Sequence, residues 1–578
     1  MRIGLLTEGG YPYVSGDARL WCDRLVRGLG QHEFDIYALS RSERQEDEGW
    51  LELPPQVARV RTAPLWTAED DGVTLGRRAR RRFAECYEEL AAVLCEGDGQ
   101  APEAADGVLG EPGEPSADVA DRFANALYGL AELARDEGGL VGALRSESAV
   151  RALERACRAP GALRAAREAR VPELLTVAAQ LERSLRPLSL DWYEDDALGS
   201  VDLCHATAGG TAALPGLLAR HFAGVPLLVT EYGVQLRTHY LASADAPPAV
   251  RALLAAFHGR LAAEIYRRAT LITPGNSHTR RWQERCGADR TKLRTVHPGM
   301  EATRFAEVGE APDGADPDTL VWVGRVEPAK DLISLLHAFA EIRKDEPKAR
   351  LRIVGAPSGA EGEAYLGHCR ALAAQLFPDE AEGVHAVGDN PVSFEEIGGP
   401  DAPTLAEAYA AGTVIVLSSV VEGFPLSLVE AMFCGRATVS TDVGAVVEVI
   451  GGTGLVVPPR NPRALAEACV SLLRAPERRE RLGAAARARA LELFTVEQNI
   501  AAFHGIYLEI VSHSPVRRVV LDESGDPLPF AAPAESHVPG RWTGPMARVV
   551  ARGGPTWATA TGTPVRATTP LPTTEAAR

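Results

Sequence analysis

Glu422 and Glu430 are carboxylates eight residues apart in the chain's most informative segment, Val421 to Glu448 (VEGFPLSLVEAMFCGRATVSTDVGAVVE). Pro425 stands where a first helical residue is favoured. Gly435 stands where a helix ends. The spacing therefore predicts a helix over PLSLVEAMFC, entered from a strand. The free amides from Gly423 to Leu428 point out of such a helix start, which makes an anion site at the carboxyl edge of a sheet. An acid at Glu422 suits sugar hydroxyls, which need acceptors, better than it suits phosphate. Glu430, about a turn inside, has the reach of a bidentate acceptor for a ribose diol. In isolation a blander reading stays open: Glu422 as a helix-start charge favoured by the macrodipole, and Glu430 as a solvated helix residue.

The second segment is Gly324-Arg325-Val326-Glu327-Pro328-Ala329-Lys330-Asp331, between the apolar run TLVWV and the helical pattern LISLLHAFAEI. Arg325 offers a planar fork for phosphate oxygens and Lys330 a mobile point charge. Only four of the 61 basic residues are Lys (292, 330, 344 and 348), so a Lys at 330 points to a specific need for its slim head. An ordinary loop with Asp331 as a helix cap is the competing reading. Neither a P-loop nor a GxGxxG is present, so nucleotide binding would rest on these two loops.

These loops need a sheet behind them. The opening reads strand (RIGLLT), turn-rich loop (EGGYPYVSG), helix (ARLWCDRLVRGL) and strand (FDIYALS), a βαβ unit of a parallel sheet. From about residue 76 to 187 the pattern becomes an Arg/Ala/Glu/Leu-rich helical insertion. It is broken by a loop from Glu96 to Asp118 with seven acids and no Lys or Arg. Alternation resumes with VDLCHA, PLLVTEYG, TLITPGN and LRTVHPG. After a Gly/Asp/Pro-rich link at 308–318 come TLVWVG, LRIVGAP, VHAVG, TVIVLSS, ATVSTDVG and TGLVVPP. The expected architecture is α/β, with two doubly wound Rossmann-like domains facing a cleft. Residues 1–307 form the N-terminal domain and 319–490 the C-terminal one. A last helix within 491–512, with Phe494, Phe503 and Tyr507 among its apolar residues, crosses back onto the N-terminal half. Residues 513–578 are read as a tail, Pro/Thr/Ala/Gly-rich from Ser536.

Composition narrows the partners. A length of 578 residues exceeds one core, and 46% hydrophobic content is too high for wholesale disorder. A net charge of −17 argues against a dedicated nucleic-acid binder. No run reaches the roughly 18 to 20 apolar residues of a bilayer span. MRIGLLTEGG also lacks the layout of a signal peptide. Nine scattered Cys without a CxxC pair exclude a zinc ribbon or a disulfide framework and fit a reducing cytoplasm. No His/Cys/Asp cluster has metal-ligand spacing, so no metal is expected.

The paired Glu, GRVEPAKD and the Gly-rich first loop together resemble the family 4 retaining glycosyltransferases of GT-B fold. EGGYPYVSG followed by W-C-D-x-L-x-x-G-L, H-E-F-x-x-Y-A-L, VTEYG and NSHTRRWQERCGADRTKLRTVHPGM is similar to the PelF-like exopolysaccharide glycosyltransferases within them. The resemblance covers about residues 1–60 and 200–510. It implies that Arg325 and Lys330 hold the diphosphate of a nucleotide-sugar, with a UDP-sugar as the expected donor. Glu430 would bind the ribose. Glu422, with the backbone of Gly423, Phe424 and Pro425, would bind sugar hydroxyls, and the amides of Leu426 and Ser427 would add to phosphate binding. Gly9, Gly10 and Gly16 would let the first loop approach the ligands. Arg325, Lys330 and Glu422 form the expected catalytic set. Transfer would proceed with retention, the leaving phosphate taking the acceptor proton, with no metal or other cofactor. A glycan or small acceptor and a membrane polysaccharide synthase complex are the implied partners. The implied place is the cytoplasm, at the inner face of the membrane.

Two residues depart from that pattern. Asp17 replaces the second of two adjacent Gly, and Tyr232 stands where the subgroup has His. Asp17 either faces an acceptor hydroxyl or caps the next helix, and Tyr232 keeps one donor without a cation. His205, ending DLCHA, is either an imidazole at the cleft or a buried, satisfied one. These departures leave two alternatives open. One is a small-acceptor, inositol-phosphate-type glycosyltransferase, for which no extra N-terminal basic cluster is evident in the sequence. The other is a non-catalytic nucleotide-sugar-binding partner of a polysaccharide synthase. A sugar-nucleotide epimerase of the same fold fits GRVEPAKD poorly.

Overall fold

The computed structural model describes residues 1–15, 18–68, 71–96, 117–194, 196–310, 316–378, 390–400 and 402–516. Gly16, Asp17, nearly all of the acidic loop, the VHAVG segment and the tail beyond 516 lie outside them.

Two six-stranded parallel sheets carry the fold. The first contains β1 (Arg2–Glu8), β2 (Glu33–Ser40), β3 (Val57–Pro64), β4 (Leu203–Ala206), β5 (Leu227–Glu231) and β6 (Leu271–Pro274), in the order β3-β2-β1-β4-β5-β6. The second contains β7 (Asp316–Val323), β8 (Arg350–Val354), β9 (Val392–Glu395), β10 (Gly412–Leu417), β11 (Ala437–Thr441) and β12 (Leu455–Val457), in the order β12-β11-β10-β7-β8-β9. Both orders are the doubly wound pattern, which reverses between the first and fourth strands of each sheet and opens a crevice at their carboxyl ends. Central strands such as β1 (IGLLT) and β10 (GTVIVL) are buried on both faces, which is why they read as unbroken apolar runs.

The helical insertion lies between β3 and β4. Its helices Arg77–Cys95, Ala117–Glu137, Glu147–Cys157 and Val171–Leu185 turn Leu90, Leu127, Leu153 and Val177 into the same core as Leu217, Leu227 and Ile272. The insertion therefore thickens one face of the first sheet. All nine cysteines are free thiols; within the insertion, Cys95 Sγ lies 3.5 Å from Cys157 Sγ.

The other face is covered by the helix Val496–His513, whose Phe503, Ile506, Tyr507 and Ile510 pack with Ile3, Leu5, Phe34 and Trp21. Phe494 differs from expectation. It precedes that helix and belongs to the C-terminal core with Met300, Phe305 and Phe433. There the chain's two crossings between halves run side by side: Met300 N donates to Phe494 O at 2.8 Å, and Val496 N to Met300 O at 3.1 Å. Gly299 fits against this crossing, where a Cβ would stand 2.7 Å from Asn499 Cβ and 2.9 Å from Val496 Cα.

Other differences have simple causes. LRTVHPG is extended but forms no strand; it runs along β6 through Arg294 N to Ile272 O (3.0 Å) and Val296 N to Pro274 O (2.9 Å). Residues 316–318, read as linker, begin β7, and 308–310 end a short helix.

Candidate functional site

Glu422 follows β10 and precedes the helix Leu426–Phe433, with Pro425 as its N-cap, one position earlier than expected. Gly435 takes φ +67°, the left-handed conformation that a helix C-terminus asks of glycine. Lys330 closes the turn Pro328–Lys330 after β7, and Asp331 caps the helix Leu332–Asp345 by accepting from Ser334 N at 3.2 Å. The cap and the charge roles of GRVEPAKD thus coexist. Because β7 and β10 are neighbours, the two loops touch. Val420 N donates to Ala329 O at 2.9 Å, and Ser418 Oγ to Lys330 O at 2.7 Å.

The side chains meet there. Lys330 Nζ lies 2.7 Å from Glu422 Oε2, which also accepts from Ser419 Oγ at 3.1 Å. Both are mostly shielded, with side-chain exposures of 15% and 13%. Arg325 is exposed and has no ion-pair partner among the described residues. Glu430 Oε2 accepts from Tyr409 Oη at 2.7 Å, and burial pushes its carboxyl above the ordinary glutamate range. The loop after β11 supports Gly423 from beneath through Ala445 N to Gly423 O at 3.1 Å. Gly423 itself has open space where a Cβ would point. The amides of Leu426 and Ser427 lie in the first turn of their helix and have no intrahelical acceptor. Phe424 packs towards His297 and Phe494, so it faces the junction between the halves.

The N-terminal residues divide. In the first loop, Gly9 takes φ +63° and donates its amide to Leu39 O at 2.8 Å, while Tyr11 and Tyr13 are buried. Gly16 and Asp17 lie outside the described residues. His205 is fully buried: Nδ1 lies 2.7 Å from Tyr507 Oη and Nε2 2.7 Å from Thr230 Oγ1, beneath the last helix. Of the two readings of His205, the structure takes the buried, satisfied one and not the imidazole at the cleft. Tyr232 is corrected. Its ring covers Gly275 and packs edge-on against Trp21 at 5.2 Å, and its hydroxyl is buried beside Trp21 and Asn499.

Several residues of the cleft were not singled out in the sequence. Glu448, at the start of the second half's helix Val446–Ile450, accepts from Ser277 N of the first half at 2.6 Å and lies 3.8 Å from His297 Nε2. Arg237 and His278 occupy the first turns of Gln235–Ala242 and Ser277–Arg285, directly after β5 and β6. Their signal was available: a base in the first turn after a strand, within VTEYGVQLR and NSHTRR. Glu231, buried at the end of β5, accepts from Tyr266 Oη at 2.5 Å and Gln283 Nε2 at 2.8 Å and so fixes these loops. No group of three or more potential metal ligands occurs among the described residues. No helix among them is long and apolar enough to cross a membrane.

Residues 317–475, which hold both loops of the site, match the family model for glycosyl transferases group 1. The D-inositol 3-phosphate glycosyltransferase of Rhodococcus erythropolis is 34% identical over 287 residues, 47% of this chain and 60% of that protein. That of Nocardioides sp. is 30% identical over 310 residues, covering 50% and 64%. The match spans between about half and two thirds of the length of the curated relatives. Among solved structures, Anabaena HepE in complex with UDP (14% identity, TM-score 0.50) covers 88% of this chain and 99% of its own. Sucrose-phosphate synthase from Thermosynechococcus elongatus (17%, TM-score 0.51) covers 89% and 100%. These likenesses show the fold, two Rossmann-like domains in the GT-B arrangement. Residues 1–291 match the family model described as a domain of unknown function (DUF3492), half of the chain, and the protein belongs to that family.

Proposed function

We propose that the protein is a glycosyltransferase that moves a sugar from a nucleotide-diphosphate donor, a UDP-sugar, to a glycan or small acceptor. The observation that carries this reading is the meeting of Lys330 and Glu422 at 2.7 Å inside the group 1 glycosyltransferase domain, with Glu430 on the following helix. Arg325 and Lys330 hold the diphosphate, and the first-turn amides of Leu426 and Ser427 add donors. Glu430 uses its second oxygen on the ribose. Glu422 and the Gly423 to Pro425 backbone take sugar hydroxyls. HepE, which shares the fold, was solved with UDP.

The chemistry follows from charge. Breaking the bond between the sugar's anomeric carbon and the phosphate oxygen adds one negative charge to a diphosphate that already carries two, and cations held at the diphosphate stabilise it as it develops. The departing phosphate oxygen takes the acceptor's hydroxyl proton while the acceptor's oxygen bonds the anomeric carbon from the same face. The configuration is retained and no protein nucleophile is used. With Arg325 and Lys330 as the cations at the diphosphate, transfer should persist in EDTA. A role in exopolysaccharide synthesis beside a membrane polysaccharide synthase, on the inner face of the membrane, extends the likeness to PelF-like enzymes. A small phosphorylated acceptor is the second reading, favoured by the names of the curated relatives.

A thermal-shift screen with UDP- and GDP-sugars tests the donor, since a ligand of the folded state raises apparent stability by mass action. NMR of the product's anomeric proton tests retention. No stabilisation, hydrolysis or transfer with any nucleotide-sugar would sink the proposal.

A further inference from the structure

We infer that the N-terminal wall of the cleft, at Arg237 and His278, binds a phosphate group carried by the acceptor; this rests on the glycosyltransferase reading above. Strands β5 and β6 are neighbours, so the helices Gln235–Ala242 and Ser277–Arg285 start side by side at their carboxyl edge. Thr279 Oγ1 donates to Tyr232 O at 3.3 Å and locks the two starts together. No side chain caps the first helix at Val234, so its opening amides remain available.

Arg237 sits half-buried in that first turn, and burial works against its charge. It makes no ion pair among the described residues. The carboxylate within its electrostatic reach is Glu422, on the opposite side of the cleft and already bonded to Lys330. A guanidinium held partly out of water without a bonded anion is unfavourable unless a ligand supplies one. Other buried or partly buried arginines are bonded: Arg186 to Glu182 at 2.7 Å, Arg2 to Asp35 at 2.7 Å, and Arg260 and Arg479 to backbone carbonyls, whereas no hydrogen bond to Arg237 occurs among the described residues.

His278 supplies the second contact. Its Nε2 is buried and has no hydrogen-bond partner among the described residues. Burial and the nearby charges of Arg237, Arg281 and Arg285 favour its neutral form, which can still donate one hydrogen bond. A forked cation, an imidazole and open helix amides converge on one wall, a pattern suited to a tetrahedral oxyanion. The wall faces Lys330 and Glu422, so a phosphate held there places the rest of the acceptor towards the donor sugar. Glu448, reaching across from the second half, accepts from Ser277 N and makes no ion pair with Arg237.

The test uses the full chain saturated with UDP, which fills the diphosphate site, and titrates inorganic phosphate by calorimetry. Wild type should bind phosphate in the millimolar range or tighter. Arg237→Ala should weaken that binding at least tenfold, Arg237→Lys less, and His278→Ala several-fold, with UDP affinity unchanged. In the transfer assay, D-myo-inositol 3-phosphate should outperform myo-inositol as acceptor, and Arg237→Ala should erase the preference. Phosphate binding that is absent in the UDP complex, or equal in wild type and Arg237→Ala, overturns the inference while leaving the donor assignment standing. Failure of wild type to bind UDP overturns the donor assignment and this inference with it.

Discussion

Lys330 and Glu422 form an ion pair of 2.7 Å between the loops after β7 and β10, so the cation assigned to the diphosphate is shared with the carboxylate assigned to the sugar. The two ligands of Lys330 compete. Glu422→Gln should tighten binding of UDP, which brings diphosphate and no sugar, by several-fold, and should depress transfer. Lys330→Ala should weaken UDP by ten- to a hundredfold, since one charge-assisted contact is worth about 1.5 to 3 kcal/mol. Calorimetry with UDP checks both directions. Equal loss of UDP affinity in the two variants would mean that Glu422 supports the diphosphate instead of competing for its cation.

Glu430 makes a different prediction, because Tyr409 occupies one of its oxygens at 2.7 Å and leaves the other for a ribose hydroxyl. Glu430→Ala should weaken UDP about tenfold or more and have little effect on 2′,3′-dideoxy-UDP, which lacks the diol. Tyr409→Phe should cost less, since only the orientation of the carboxylate is lost. Burial raises the Glu430 carboxyl above its ordinary range. A protonated carboxyl cannot accept two hydroxyls, so UDP affinity should begin to fall on acidification at a pH above the usual glutamate range. The fall should be absent in Glu430→Gln.

The same contrast between buried runs and half-buried edges decides how much of this was legible in the sequence. The central strands announced themselves because both their faces are covered, and the helix starting near Pro425 because Pro and Gly bracket it. The edges were harder. In β9 only Val392 of Val392–Glu395 is buried, and β3 alternates Arg59 and Arg61 with small residues, so neither strand shows an apolar run. The two loops proposed for the donor were legible as loops between strand and helix because each depends on local spacing. Glu448 was not, because it meets Ser277 and His297 only where the two halves face each other. Arg237 and His278 signalled a base in the first turn after a strand, but not that the pairing of β5 with β6 sets them side by side. His205 stayed open between two readings for a related reason: the helix that covers it comes about 300 positions later in the sequence, where Tyr507 bonds its ring.

The double crossing at Met300 and Thr495 ties the two halves where the chain passes between them, the place a closing motion would bend. Gly299→Val should strain it, since a Cβ there meets the backbone of Thr495 (3.1 Å to its carbonyl oxygen) and Val496, which cannot move aside as a side-chain tip can. Overpacking of this kind typically costs about 1 to 3 kcal/mol. The melting temperature should fall, and transfer should fall further than UDP affinity, because closure needs both halves while UDP sits mainly on the second. A Gly299→Val enzyme with wild-type melting and transfer would place the hinge elsewhere.

His205 links the fold to pH. Its ring is buried among Trp21, Phe503 and Tyr507, both nitrogens are bonded to hydroxyls, and burial lowers its pKa from 6.5 to about 3. In the unfolded chain the same ring takes a proton once the pH drops below about 6.5. Between those values the unfolded state binds the extra proton, so stability is full above pH 6.5 and declines as pH falls towards the folded value. One such proton contributes a slope of about 1.4 kcal/mol per pH unit. Urea unfolding between pH 6.5 and 5 should therefore show a shallower pH dependence in His205→Gln than in wild type, by about that amount. The variant should also be less stable at pH 7.5, where Tyr507 and Thr230 lose part of their hydrogen bonding. Comparing slopes between the two proteins cancels the titration of other buried groups, such as His32 and Glu231, which are present in both. An unchanged slope would mean that His205 stays accessible to protons in the folded protein, and the last helix would then not seal it as the packing of Phe503 and Tyr507 requires.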